Sequence, residues 1–256
     1  MNWVLVGTLF AVALVACCMG FKRFVWFMSV GYGLAVAAIA LATLVAGAGI
    51  TGNPLTPGLI AALVVCLAYG LRLGVFLWRR EMGNAAYRKV LATKVGNEPP
   101  VFVKALAWLF MGALYVCETA GLHLRLANGT PDDVVLWVGV VVMAAGAVIE
   151  AVADQQKRAQ KAKHPDLPAT EGLFSIMRCP NYLGEMLFWT GVLIAGATSL
   201  AGAGQWAMAL VGFVCIIFIM LDGARRMAKG HEERYGQDLR YRAYADRTKL
   251  IIPFVW

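Results

Sequence analysis

Residues 134–163 read VVLWVGVVVMAAGAVIEAVADQQKRAQKAK, and this stretch decides what kind of chain carries it. As far as Ala153 it is apolar except for Glu150, and an apolar run of about 20 residues is what a helix needs to cross the hydrocarbon of a bilayer. Beyond Ala153 the residues turn to Asp, Gln, Lys and Arg, as expected of a helix that continues past the membrane. Glu150, Asp154, Arg158 and Lys161 recur at helical spacing and fall on roughly one face. A salt-bridged helix end with snorkelling cations is one reading. The other is a carboxylate for ribose or amide groups followed by cations for phosphates, and ionisable residues at membrane depth favour function.

The rest of the chain repeats the pattern. Of 256 residues, 60% are hydrophobic and 15% charged, with a mean hydropathy of +0.68, whereas soluble domains carry about 25% charge. A soluble enzyme, a disordered protein and a nucleic-acid-binding module are all excluded by those long apolar runs. The six cysteines mostly sit inside the runs and read as small buried hydrophobes. Spans are expected near 3–20, 25–47, 58–78, 101–122, 133–153, 184–202 and 204–222, giving an all-α, single-domain protein of seven transmembrane helices. No basic residue precedes the first run and Lys22-Arg23 follows it, which predicts a retained helix rather than a signal peptide.

Seven spans sort the charge sharply. The loops after spans one, three and five and the tail after span seven hold 21 of the 23 Lys and Arg. Short cytoplasmic loops concentrate such residues, so the N-terminus is expected outside and the C-terminus in the cytoplasm. Only Arg125, beside Asp132 and Asp133, is left for the opposite face. Gly47-Ala-Gly49-Ile-Thr-Gly52 fits the dinucleotide fingerprint in letters alone, because it follows a membrane helix and runs into Asn53-Pro54. That motif needs a preceding strand and a helix N-terminus facing the pyrophosphate, so a turn between spans two and three is expected. His123, His164 and His231 are solitary and no Cys/His cluster has metal spacing.

The segment leading into span six reads EGLFSIMRCPNYLGE from Glu171 to Glu185. Pro180 suits a helix first turn, from which Asn181, Tyr182 and Glu185 project at the membrane edge. A generic capping segment has no need of Asn and Glu sinking toward hydrocarbon. The tail carries Arg225-Arg226, His231, Tyr235-Gly236, Tyr241, Tyr244 and Ile252-Pro253, a basic, Tyr-bearing cap that also reads as an interfacial helix on anionic lipid. Between spans three and four, Trp78-Arg79-Arg80-Glu81 followed by Tyr87-Arg88-Lys89 offers an acid and a phenol.

Gly172-Leu-Phe with Arg178-x-Pro-Asn-Tyr-x-Gly-Glu185, followed by Glu233-Arg-Tyr-Gly236 and Tyr241 to Pro253, resembles the steroid 5α-reductase family and its bacterial relatives over roughly residues 145–256. Members are seven-helix membrane enzymes that use NADPH to reduce the conjugated double bond of steroids or similar lipid enones. The resemblance implies that Asp154, Arg158 and Lys161 form the cofactor-binding end of the fifth helix. It assigns Asn181 and Glu185 to the turn near the nicotinamide, and Arg226, His231 and Tyr235 to the tail covering the phosphates, with Arg178 a further phosphate ligand. It also implies a bacterial inner-membrane location with the site open to the cytoplasm.

Two departures matter. Cys179 stands where many relatives have His, and span two lacks the carboxylate that the animal enzymes pair with a Tyr. Glu81 and Tyr87 are therefore the expected catalytic pair. A rival resemblance is to isoprenylcysteine-type membrane methyltransferases, which share an Arg-His-Pro-x-Tyr-x-Gly turn but bind S-adenosylmethionine. Asn181, Glu185 and the cations at 157–163 favour the reductase, because a 2′-phosphate needs a cationic cradle. The expected substrate is a flat apolar ketone such as a 4-ene-3-oxo steroid, entering from the bilayer. A non-enzymatic lipid-binding role is the third reading.

Overall fold

The computed structural model describes residues 1–83 and 98–252. Tyr87 lies outside the described residues. Among those described, α1 (Trp3–Cys17), α2 (Val30–Thr51), α3 (Pro57–Gly83), α4 (Val101–Glu118) and α5 (Ala120–Ala127) come first. They are followed by α6 (Val134–Lys163), α7 (Pro180–Ala197), α8 (Gly202–Tyr235) and α9 (Leu239–Arg247), and the extended contribution is a single parallel bridge between Met177 and Lys249.

Among the described residues, six helical segments are long and apolar enough to cross a membrane: Trp3–Phe21, Phe24–Thr51, Pro57–Gly83, Val101–Glu118, Val134–Lys163 and Gly202–Tyr235. The chain is an all-α integral membrane protein. The run expected as span six, 184–202, folds as α7, which begins earlier, at Pro180. Its first turns carry Asn181, Tyr182 and Glu185, and that polar start keeps it out of the six. The fourth run also ends sooner than expected, because Thr119 separates α4 from α5.

With 30 and 34 residues, α6 and α8 are about 45 and 51 Å long at 1.5 Å per residue, well beyond a hydrocarbon layer of about 30 Å. Their polar ends, from Asp154 to Lys163 and from Asp222 to Tyr235, therefore stand clear of the apolar layer.

The chain divides into two compact units. The first comprises Met1–Val140 and Val192–Phe213. Its helices are tied through backbone carbonyls: Trp108 Nε1 donates to Leu14 O at 2.8 Å and Tyr115 Oη to Phe27 O at 2.6 Å. Gly52, the last residue of the fingerprint-like text, caps α2 with φ +74° and donates its N–H to Ala48 O at 2.9 Å. That left-handed conformation is cheap only for glycine. Gly47 to Thr51 are thus the last turn of the helix and Gly52 its cap, where a turn between the spans was expected.

The second unit comprises Val141–Gly191 and the chain from Val214 onward. Here α6 and α7 touch backbone to backbone. A Cβ on Gly184 would lie 2.6 Å from the Glu150 nitrogen, and one on Gly146 would lie 2.5 Å from the Gly184 carbonyl oxygen. Small residues at such crossings let membrane helices approach. Gly184→Val should therefore destabilise the protein by about 1–3 kcal/mol through overpacking, seen as a lower unfolding temperature in detergent. An unchanged temperature would mean that the crossing tolerates separation.

Candidate functional site

Past the apolar part of α6, successive residues face different neighbours. Gln156 Oε1 accepts from Leu173 N at 2.8 Å, while Gln160 Oε1 accepts from Thr170 N at 2.8 Å and Glu171 N at 3.0 Å. This i, i+4 pair pins the loop that precedes α7. One residue further round, Lys157 and Lys161 form a second i, i+4 pair that lines a cleft.

The tail completes the cleft by strand-like pairing. Arg178 N donates to Lys249 O at 2.9 Å and Cys179 N to Leu250 O at 2.8 Å, while Tyr244 Oη donates to Phe174 O at 2.8 Å. The narrow cleft that results, with an internal volume of about 10 Å³, brings Lys157, Lys161, Arg178 and His231 together beside Phe174 and Tyr244. Lys161 Nζ donates to Tyr235 Oη at 3.3 Å and to Pro165 O at 3.1 Å, so the buried phenol orients the ammonium.

Electrostatics follow from this crowding. Burial first, then the charges of Lys157, Lys161, Arg234 and Arg178, push the His231 imidazole down to about 4. Burial pushes the Tyr244 hydroxyl and the Cys179 thiol each up to about 12. Three cations around a neutral imidazole give the cleft the chemistry of an anion site.

The expected site residues are thus sorted. Lys161, Arg178 and His231 line the cleft, and Tyr235 holds Lys161. Arg158 is exposed outside it, and Arg226 is exposed and paired with Asp222 one turn back. Asp154 and Glu185 are buried in the same unit, as is Glu150. Asn181 is partly buried at the start of α7, its Oδ1 sealed from solvent with no hydrogen-bond partner among the described residues. Lys157 and Tyr244 were missed as individual site residues. The four-residue spacing of Lys157 and Lys161 was a readable signal for the first, whereas nothing local marked Tyr244.

Glu81 belongs to the first unit. It is 1% exposed, and its two oxygens accept from Trp26 Nε1 and, at 3.0 Å, from Ser29 Oγ. The first unit also buries Glu118 and His123, both inside apolar sequence where one polar letter carries little signal.

The chain from residue 16 to 248 matches the family model described as protein of unknown function DUF1295, a membrane family related to steroid 5α-reductase-like proteins. The chain belongs to this family. Comparison with curated proteins returned no match.

Proposed function

We propose that the protein is an NADPH-dependent reductase of conjugated lipid enones, with 4-ene-3-oxo steroids as the model substrate class. The observation that carries this reading is the convergence of Lys157, Lys161, Arg178 and His231 on one cleft. Phosphates on a nucleotide need such a cradle, while S-adenosylmethionine has no phosphate to place there. In this reading α7 is also a span, the sixth of seven, the N-terminus is outside, and the cleft opens to the cytoplasm, where NADPH is available.

When bound, NADPH supplies the hydride. Lys157, Lys161 and Arg178 hold its phosphates, and Tyr235 keeps Lys161 in place. The partnerless Asn181 amide suits the carboxamide of the nicotinamide. Charge develops on the substrate carbonyl oxygen during reduction, so a hydroxyl donor must face that oxygen in a dry site. Tyr87 is the proposed donor and Glu81 the carboxylate that assists it.

Titrating the detergent-solubilised protein with NADPH and with S-adenosylmethionine tests the class, and product analysis over a panel of enones tests the reaction. Binding of S-adenosylmethionine alone would replace the reading with a methyltransferase, and binding of neither would leave a lipid-binding role. Tyr87→Phe should lower turnover by about 10²-fold or more while leaving NADPH affinity nearly intact. Unchanged turnover removes Tyr87 from the chemistry.

A further inference from the structure

His231 is placed oddly for a phosphate ligand. It lines the same cleft as Lys157 and Lys161 of α6 and Arg178 of the segment before α7. Its ring packs against Tyr235 at 5.6 Å on its own helix and Tyr241 at 6.3 Å on α9. Arg234 is the other charge that acts on it. The adjacent acids Glu232 and Glu233 are exposed. Burial first and these cations second keep the imidazole neutral when the cleft is empty, and it then offers one N–H donor and one acceptor nitrogen.

An anion changes the balance. Phosphate oxygens among Lys157, Lys161 and Arg178 offset the repulsion that these cations add to the burial of His231, and a negative charge beside the ring favours the imidazolium. We infer that binding of a phosphate-bearing ligand in this cleft is coupled to protonation of His231, which turns from neutral ring to fourth cation only when the site is filled. This rests on the cofactor reading for the identity of the ligand, though the coupling itself needs only the phosphate.

The sign is fixed by linkage. A group whose pKa rises on binding takes up a proton, so affinity is higher at low pH and falls as pH rises through the raised value. Full uptake corresponds to about tenfold in affinity per pH unit. The site would thus release its ligand as the surrounding pH rises, without any movement of a helix.

The test uses the full-length protein in nanodiscs of phosphatidylcholine, which carry no net headgroup charge. NADPH and inorganic pyrophosphate are each titrated calorimetrically at pH 6, 7 and 8, in two buffers of different ionisation enthalpy. Wild type should take up more protons per ligand bound than His231→Gln, a comparison that cancels the titration of the ligand's own phosphate. His231→Arg supplies a permanent cation without that protonation, and should bind at pH 8 at least as tightly as wild type does at pH 6, with the extra uptake gone. Equal proton uptake in wild type and His231→Gln overturns the coupling and leaves the nucleotide reading intact. Coupled binding of pyrophosphate without NADPH binding keeps the coupling and overturns the nucleotide. Binding of neither overturns both.

Discussion

Arg125→Met is expected to cost about 3–5 kcal/mol of stability, the range for removing one partner of a buried charge pair. The guanidinium is 0% exposed. Its Nη1 donates to Ala195 O at 3.0 Å and Thr198 Oγ1 at 3.1 Å, and its Nη2 to Pro131 O and, at 2.8 Å, to Asp133 Oδ2. Removing it strands acceptors from two segments of the first unit, 131–133 and 195–198. Asp133 is tied further by Thr198 Oγ1 at 2.6 Å and by the Leu136 amide at 2.7 Å, where it caps the start of α6. Burial raises the Asp133 carboxyl, but the bonds from Arg125, Thr198 and Leu136 together outweigh it and hold it at about 2. The unfolded carboxyl titrates near 4. The stabilisation is therefore complete above about pH 4 and is lost as pH falls toward about 2. Thermal unfolding in detergent checks both parts, and a variant as stable as wild type at pH 7 would show that water replaces the guanidinium.

The second large effect lies in the cleft. Lys157→Ala combined with Lys161→Ala should weaken NADPH by about 10²-fold or more, since one charge-assisted contact is worth about 1.5–3 kcal/mol, or roughly 10–150-fold. Arg158→Ala, one residue away but exposed outside the cleft, should change affinity by less than about threefold. This contrast separates the cleft from general positive charge at the helix end. Equal losses at Arg158 and Lys161 would move the ligand to the outer face of α6. If Lys161→Ala alone weakens NADPH more than NADH, that lysine holds the 2′-phosphate, and equal weakening assigns it to the pyrophosphate.

How much of this was legible beforehand differs from element to element. The apolar runs announced where the membrane helices begin to within a few residues, although α6 and α8 run on past the expected spans to Lys163 and Tyr235, because hydrocarbon imposes length and composition only on what crosses it. The exception is informative. Residues 184–202 read as a span by their apolar letters, yet the helix starts at Pro180 and takes its polar turns inward. The glycine in Pro180-Asn-Tyr-Leu-Gly184 stood in the text as part of a motif, and the backbone contact with Glu150 supplies its physical cause.

For the site, the polar segment 154–163 announced that charge gathers there. Helical period alone put Glu150, Asp154, Arg158 and Lys161 on one face, but which cations share a cleft depends on what packs against that helix. Gln156 and Gln160 bind the 170–173 loop and so aim Lys157 and Lys161, rather than Arg158, at Arg178 and His231. The tail then closes the cleft through backbone pairing with Arg178 and Cys179, which no side-chain pattern encodes. The sequence by itself determined the membrane class, the helical runs and the gathering of basic charge, because each is a local response to solvent. Only the tertiary structure decided that Lys157 faces inward, that Arg158 does not, and that Asp133 is the acid paired with Arg125. Those choices are made by contacts between segments far apart in the chain, where one residue of helical phase turns a side chain by about 100°.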